Sequence, residues 1–211
     1  MGSKRVGLAR TQALIENLKR ELNMGQTTFT NAAIQGPSTS TAGAGAVSGS
    51  TTAPATRVTE LNGETLTTIT VDLQFLSASG GAQGVVIGNK EAGVDNTASA
   101  HLIQWSEQEY GVCYKVEMSC VEEPAQNSAA KDIDLKLSSD TRIQGQAADG
   151  NDLVTRGGNW AKGDTVAGST SCAITDGHYV YLVNGTDVGN TGDAQYASGK
   201  YVIKFFGHSD F

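Results

Sequence analysis

Between Glu64 and Ser77 the chain reads E-T-L-T-T-I-T-V-D-L-Q-F-L-S, an alternation that few folds can accommodate. Ile69, Val71, Leu73 and Phe75 fall on one parity, and Thr68, Thr70, Asp72 and Gln74 fall on the other. Period two with β-branched residues on both faces predicts a long half-buried strand. A helix would restrict the rotamers of the threonines and valine packed into this stretch. A strand with one apolar face must bury that face against a second layer, so the run commits the chain to a layered β architecture.

The sequence after this run supplies further strands. Arg57–Leu61 and Glu64–Leu76 flank Asn62-Gly63, a hairpin dipeptide. Gly84–Gly88 is a short apolar run between glycines, and Ala100–Trp105 leads through S-E-Q-E-Y-G into Val112–Val121. There Val112, Tyr114, Val116, Met118 and Cys120 are expected to share one face. Ile133, Leu135 and Leu137 alternate with Asp134 and Lys136. Tyr179–Val183 follows a turn at Asp176-Gly177 and ends at Asn184-Gly185, and Lys200–Phe206 is the last strand. Between Ser138 and Ser171 glycines and polar residues predict long surface loops anchored by Leu153, Val154 and Trp160. The expected fold is all-β: an antiparallel sandwich or jelly-roll-like body preceded by an N-terminal helix and an extended arm.

Ahead of the body the pattern changes. Leu8–Met24 favours helix, and Leu14, Ile15, Leu18 and Leu22 draw one apolar stripe before Gly25 stops it. A helix this short is marginal alone and needs a surface to pack on. Residues 35–56 are nearly all Gly, Ala, Ser, Thr and Pro, a composition expected to stay outside any core unless a neighbouring subunit orders it. Fully extended, Gln26 to Thr56 spans on the order of 100 Å. The expected division is therefore a helix over 1–24, an arm over 25–56 and a β domain over 57–211.

Charge follows the same division. The chain carries −7, yet residues 1–24 hold five basic residues, Arg5 and Arg10 among them, against two acidic ones. The basic head can dock on an acidic surface, while the acidic body favours solubility. That head is too weakly charged to predict nucleic-acid binding. The helical stretch is broken by charges, so neither a signal peptide nor a membrane span is expected.

Residue chemistry predicts no enzyme and no cofactor. His101, His178 and His208 are far apart and lack metal-ligand spacing. Glu107, Glu109, Glu122 and Glu123 cluster, but no aromatic cleft residues accompany them, so they are expected to edge turns. The Asp149–Asp152 and Asp187–Asp193 loops gather oxygen ligands without the full calcium-loop spacing, and no metal is assigned to them. Cys113 and Cys120, seven apart on one expected strand, should leave on opposite faces, with Cys172 alone; three buried, reduced thiols in a cytosolic assembly are expected. Glycan stacking would fall to Trp105 or Trp160.

The opening S-K-R-V-G-L-A-R-T-Q-A-L-I-E-N-L-K-R-E-L resembles the N-termini of small virion structural proteins of tailed phages of marine bacteria, and the ending G-K-Y-V-I-K-F-F-G is similar to their final strand. The resemblance covers the two ends only. It implies a capsid decoration (cement) protein, assembled into the virion in the host cytoplasm, with copies of itself and the major capsid protein as partners. Leu14, Ile15, Leu18, Leu22, Arg5 and Arg10 are then the expected contact residues. A tail, neck or fibre component is the alternative within that class, and a carbohydrate-binding or adhesin module is the alternative outside it. A chain truncated to begin at Arg57 is expected to retain β-type circular dichroism and cooperative melting.

Overall fold

The computed structural model describes residues 42–47, 53–78, 82–89, 98–125, 131–168, 172–185 and 194–209. The predicted helix over Leu8–Met24, with Arg5, Arg10, Leu14, Ile15, Leu18 and Leu22, lies outside the described residues, as does the Asp187–Asp193 loop.

Strand β2 (Glu64–Asp72) buries Thr65, Thr67, Ile69 and Val71 on one face, continued by Leu73. It pairs on one side with β1 (Ala55–Leu61) through a tight turn at Asn62-Gly63. Both turn residues have positive φ, 54° and 79°, the combination a two-residue hairpin requires. On the other side β2 pairs along its whole length with β12 (Ser198–His208), the last strand. Beyond β12 come β6 (Val112–Ala125) and β9 (Thr165–Ala167), which complete a five-stranded sheet in the order β1-β2-β12-β6-β9.

A second sheet has the order β5-β10-β7-β8, from Ile103–Gln104, Tyr179–Asn184, Ile133–Ser138 and Asp152–Val154. A small third sheet joins β3 (Leu76–Ala78) to β4 (Gly88–Asn89) and β11 (Ala194–Gln195). Every pairing between these strands is antiparallel.

The two large sheets share one core. Ile69, Val116, Met118, Tyr201, Ile203 and Phe205 from the first belong to the same apolar cluster as Ile133, Leu135, Leu137, Val180 and Leu182 from the second. This is sandwich-like β architecture. Trp105, against Tyr110 and Phe205, and Trp160, edge-on to Tyr201, fill this core rather than lie on its surface. Trp160 also donates from Nε1 to the Ile133 carbonyl at 2.7 Å. The anchors expected in the long loop, Leu153, Val154 and Trp160, are all buried.

The four-stranded sheet is covered on its other face too. Val86, Ala100, Ala148, Tyr181 and Val183 form a second apolar cluster there. Strand β10 is consequently buried on both sides, which explains its unbroken Y-V-Y-L-V run.

Local backbone chemistry corrects several expectations. The single strand predicted over Glu64–Leu76 breaks after Asp72, whose carboxylate accepts the Gln74 backbone N–H at 2.9 Å and seeds a turn. Phe75 occupies that turn at φ 69° and is 39 % exposed, so it leaves the core face to which alternation assigned it. The S-E-Q-E-Y-G link forms a one-turn helix, α1 (Glu107–Tyr110), ended by Gly111.

In β6 the predicted face holds for Val116, Met118 and Cys120 and fails for Val112 and Tyr114, which are exposed. The register against β12 slips between Phe206–Lys115 and Gly207–Cys113, so Tyr114 is the extra residue of a bulge. The parity flips there and Cys113 turns inward. Cys113 and Cys120 therefore both face the core, and Cys172 is not alone, since its sulfur contacts that of Cys113.

Residues 42–47 also depart from the arm reading. Ala44–Ala46 make a turn of 3-10 helix, Ala46 joins the main core, and Gly43 and Gly45 donate to the carbonyls of His101 and Ser99 at 2.8 and 2.9 Å. A Cβ on Gly43 or Gly45 would collide with the backbone carbonyls of Ser99 and Ala98. The composition that argues against a core thus permits a close backbone approach.

Ala55 and Thr56 belong to β1, paired with Thr70 and Ile69. A chain beginning at residue 42 should melt like the full protein, whereas one beginning at Arg57 loses this seat and two residues of β1. Differential scanning calorimetry should place the shorter chain several degrees lower, by about 2 kcal/mol of lost burial and hydrogen bonding.

Candidate interaction surfaces and polar sites

The bulge that turns Cys113 inward drives Val112, Tyr114 and Lys115 to the outer face of the five-stranded sheet. Tyr114 stacks on His208 with ring centroids 4.6 Å apart and planes 24° apart, and it lies 6.5 Å from Phe206. The Lys115 ammonium sits 5.0 Å from the Phe206 ring centre. Val112 and Tyr114 are 44 % and 42 % exposed, so this end of the sheet carries an aromatic ledge open to solvent. Such a ledge can cover an apolar side chain or stack on a flat apolar face. Alternation alone places Tyr114 in the core; only the bulge reveals the ledge.

The Asp149–Asp152 loop borders an open cavity of ≈ 290 Å³ whose polar lining includes Ser139, Asp149, Asn151, Thr175 and His178. Its carboxylates are already engaged. Asp149 accepts from Ser138 Oγ at 2.6 Å and from Arg142 Nη2 at 2.6 Å, and these contacts hold its carboxyl below the usual range. Asp152 pairs with Lys136 at 3.2 Å. A cation entering this loop would have to displace two basic groups. Among the described residues no group of three His, Cys, Asp or Glu side chains converges as a metal site would need.

Of the clustered glutamates, Glu107 and Glu109 lie in α1, while Glu122 and Glu123 are similarly occupied. Glu122 meets Lys200 at 3.3 Å, Lys200 reaches Asp72 at 3.5 Å, and Glu123 pairs with Lys131 at 2.9 Å. The two bridges to Lys200 lie across neighbouring strands, and all three, being exposed, contribute little stability individually. The histidines stay separate: His208 is on the ledge, His178 lines the cavity, and His101 packs on Tyr179 at 5.0 Å beside Ser99.

The interior carboxylates are less ordinary. Asp132 and Asp134 are both buried, and Asp134 Oδ1 accepts the Arg156 backbone N–H at 2.9 Å. Burial pushes the Asp134 carboxyl up to about 6, with Asp132 and Asp152 adding to the shift. Sequence alternation left Asp134 on a solvent face; it is enclosed because the second sheet is covered on both sides.

No family model, curated protein or solved structure matches this chain.

The Asp134 shift has a definite sign. The folded protein holds the proton more tightly than an unfolded chain, whose carboxyl titrates near 3.8. The neutral form therefore adds stability that is complete below about pH 4 and is lost as pH rises through about 6. Asp134→Asn should flatten this part of the stability profile and raise stability at pH 7 by on the order of 2 kcal/mol. Urea unfolding at pH 4, 5, 6 and 7 checks it, with equal slopes for both proteins as the contrary result.

Proposed function

We propose that this chain is a structural component of a bacteriophage virion, a head decoration protein that stabilises the capsid through its N-terminal arm and an oligomeric β body. The observation that carries the reading is the strand order. Taking β2, β5, β6, β7, β8, β9, β10 and β12 as strands B to I gives sheets B-I-D-G and C-H-E-F, with β1 added at one edge. That order supports a jelly roll, an architecture used by viral capsid and lectin domains.

Fold alone does not choose between those two uses. The arm favours the capsid: an apolar stripe of Leu14, Ile15, Leu18 and Leu22 with Arg5 and Arg10, tethered ahead of a folded body, suits attachment to a neighbouring subunit. Copies of the chain itself and the major capsid protein are the partners this implies, in a particle assembled in the host cytoplasm. The lectin use has its own foothold in the Tyr114–His208 ledge, and a glycan-array signal lost on Tyr114→Ala would move the assignment to an adhesin.

Antibody-labelled negative-stain imaging of particles tests the reading directly. Label distributed over the head supports decoration, label at the tail or neck moves the protein there, and unlabelled particles overturn the proposal.

Replacing Leu14 and Leu18 together with Asp puts charge where the stripe should dock, at a cost of several kcal/mol in a site that excludes water. Incorporation into particles lacking the protein should fail while thermal melting of the purified variant stays unchanged. A lowered melting temperature would show instead that the helix packs on its own sandwich.

A further inference from the structure

We propose that Cys113 and Cys172 form an oxidisable cross-link that staples the five-stranded sheet to the connection entering β10. Their sulfurs lie 2.6 Å apart although 59 residues separate them in sequence. Cys113 opens β6, in one layer of the sandwich. Cys172 and the core residue Ile174 stand in the connection that leads from β9 into β10. A bond between Cys113 and Cys172 would tie β6 to that connection. Both side chains are buried, 7 % and 4 % exposed, so water does not compete for the contact.

The geometry depends on the bulge at Tyr114. Without the extra residue, the parity of Val116 and Met118 would send Cys113 to the outer face. Cys120 provides an internal control. It faces the same core, but its sulfur contacts the Glu122 carbonyl at 3.3 Å and the Tyr201 hydroxyl rather than a second sulfur. Either sulfur can donate across this contact, and a thiolate at Cys113 is the form it stabilises. This lowers the Cys113 pKa, and the neighbouring Cys113 sulfur together with burial raises that of Cys172. Cys113 is accordingly the attacking thiolate.

Hydrogen peroxide, small enough to enter the sandwich end, is the oxidant. The Cys113 thiolate attacks the peroxide oxygen; an S–O bond forms, the O–O bond breaks, and the departing hydroxide takes up a proton. The Cys172 sulfur then attacks the sulfenic sulfur; the S–S bond forms, the S–O bond breaks, and the thiol proton leaves with the hydroxyl as water. Two thiols and one peroxide yield one disulfide and two waters. In a reducing cytosol the pair remains a dithiol, and it closes where oxidants prevail. The inference stands whether or not the chain belongs to a particle.

The test uses the full chain, purified reduced, treated with hydrogen peroxide, quenched, denatured without reductant and alkylated with iodoacetamide. Intact mass should show one label after oxidation, on Cys120, and three labels without it. Peptide mapping should join Cys113 to Cys172. The oxidised protein should melt roughly 10 °C higher, reversibly with dithiothreitol. Cys120→Ser should keep that shift, and Cys113→Ser or Cys172→Ser should lose it. Three labels after peroxide, sulfinic acid on Cys113 without a cross-link, or a cross-link between two chains would each overturn the proposal. The label count on the unsubstituted chain decides the matter even if a serine variant fails to fold.

Discussion

The structure depends on the insertion of the last strand between two earlier ones. Strand β12 pairs with β2 from Lys200–Asp72 to His208–Glu64 and with β6 along its opposite edge. Its inward residues Tyr201, Ile203 and Phe205 are fully buried and touch both tryptophan clusters. Until β12 arrives, β2 and β6 present unpaired inner edges and the core lacks its central aromatic. The sandwich therefore closes only once residues near 200 have met residues near 70, a loop closure that costs entropy before any contact offsets it. Slow, non-local folding is the consequence, and the short-range hairpin at Asn62-Gly63 is the local event available to seed it.

The hydrophobic alternation that made the fold readable is a statement about side-chain parity, and it succeeds where the ladder is regular. Ile69 and Val71 on β2, Leu73 just after it, and Val116, Met118 and Cys120 on β6 lie where period two puts them. It fails where the backbone adds or turns a residue. Phe75 is lost to an Asx turn, and Val112 and Tyr114 are displaced by a bulge, neither of which leaves a mark in hydropathy. The Cys113–Cys172 contact is illegible for the same reason, since it needs both the bulge and the return of the β9–β10 connection onto β6. The glycine and alanine segment around Gly43 and Gly45 fails differently: its composition resembles a linker, yet its lack of side chains lets it seat against the Ala98–His101 backbone.

The two sheets meet solvent unequally, and this asymmetry organises the polar chemistry. The four-stranded sheet is covered on both faces, so Asp134, polar by pattern, becomes an interior carboxyl with a raised pKa. The loop after β7 must then satisfy its own charges, as Asp149 does with Ser138 and Arg142. The five-stranded sheet keeps one wet face, on which Lys200 pairs across strands with Glu122 and Asp72, Lys115 pairs with Glu117 along β6, and the Tyr114–His208 ledge interrupts them. An interface built on the body has its apolar foothold on this second face.

The seat of residues 42–47 changes what the arm can reach. With Gly43 and Gly45 bonded to His101 and Ser99, the stretch between the helix expected from the sequence to end near Met24 and this seat is about 17 residues, rather than the thirty-odd counted to the first strand. Fully extended, that is about 60 Å, against the 100 Å that composition suggested. The departure point is also fixed, beside β4 and the Ala98–His101 segment rather than at the start of β1. A shorter tether with a fixed origin raises the effective concentration of the stripe near its own body and its immediate neighbours. On the proposed reading, attachment through the arm is confined to subunits adjacent to that end of the sandwich, which would make the arm a local lacing device.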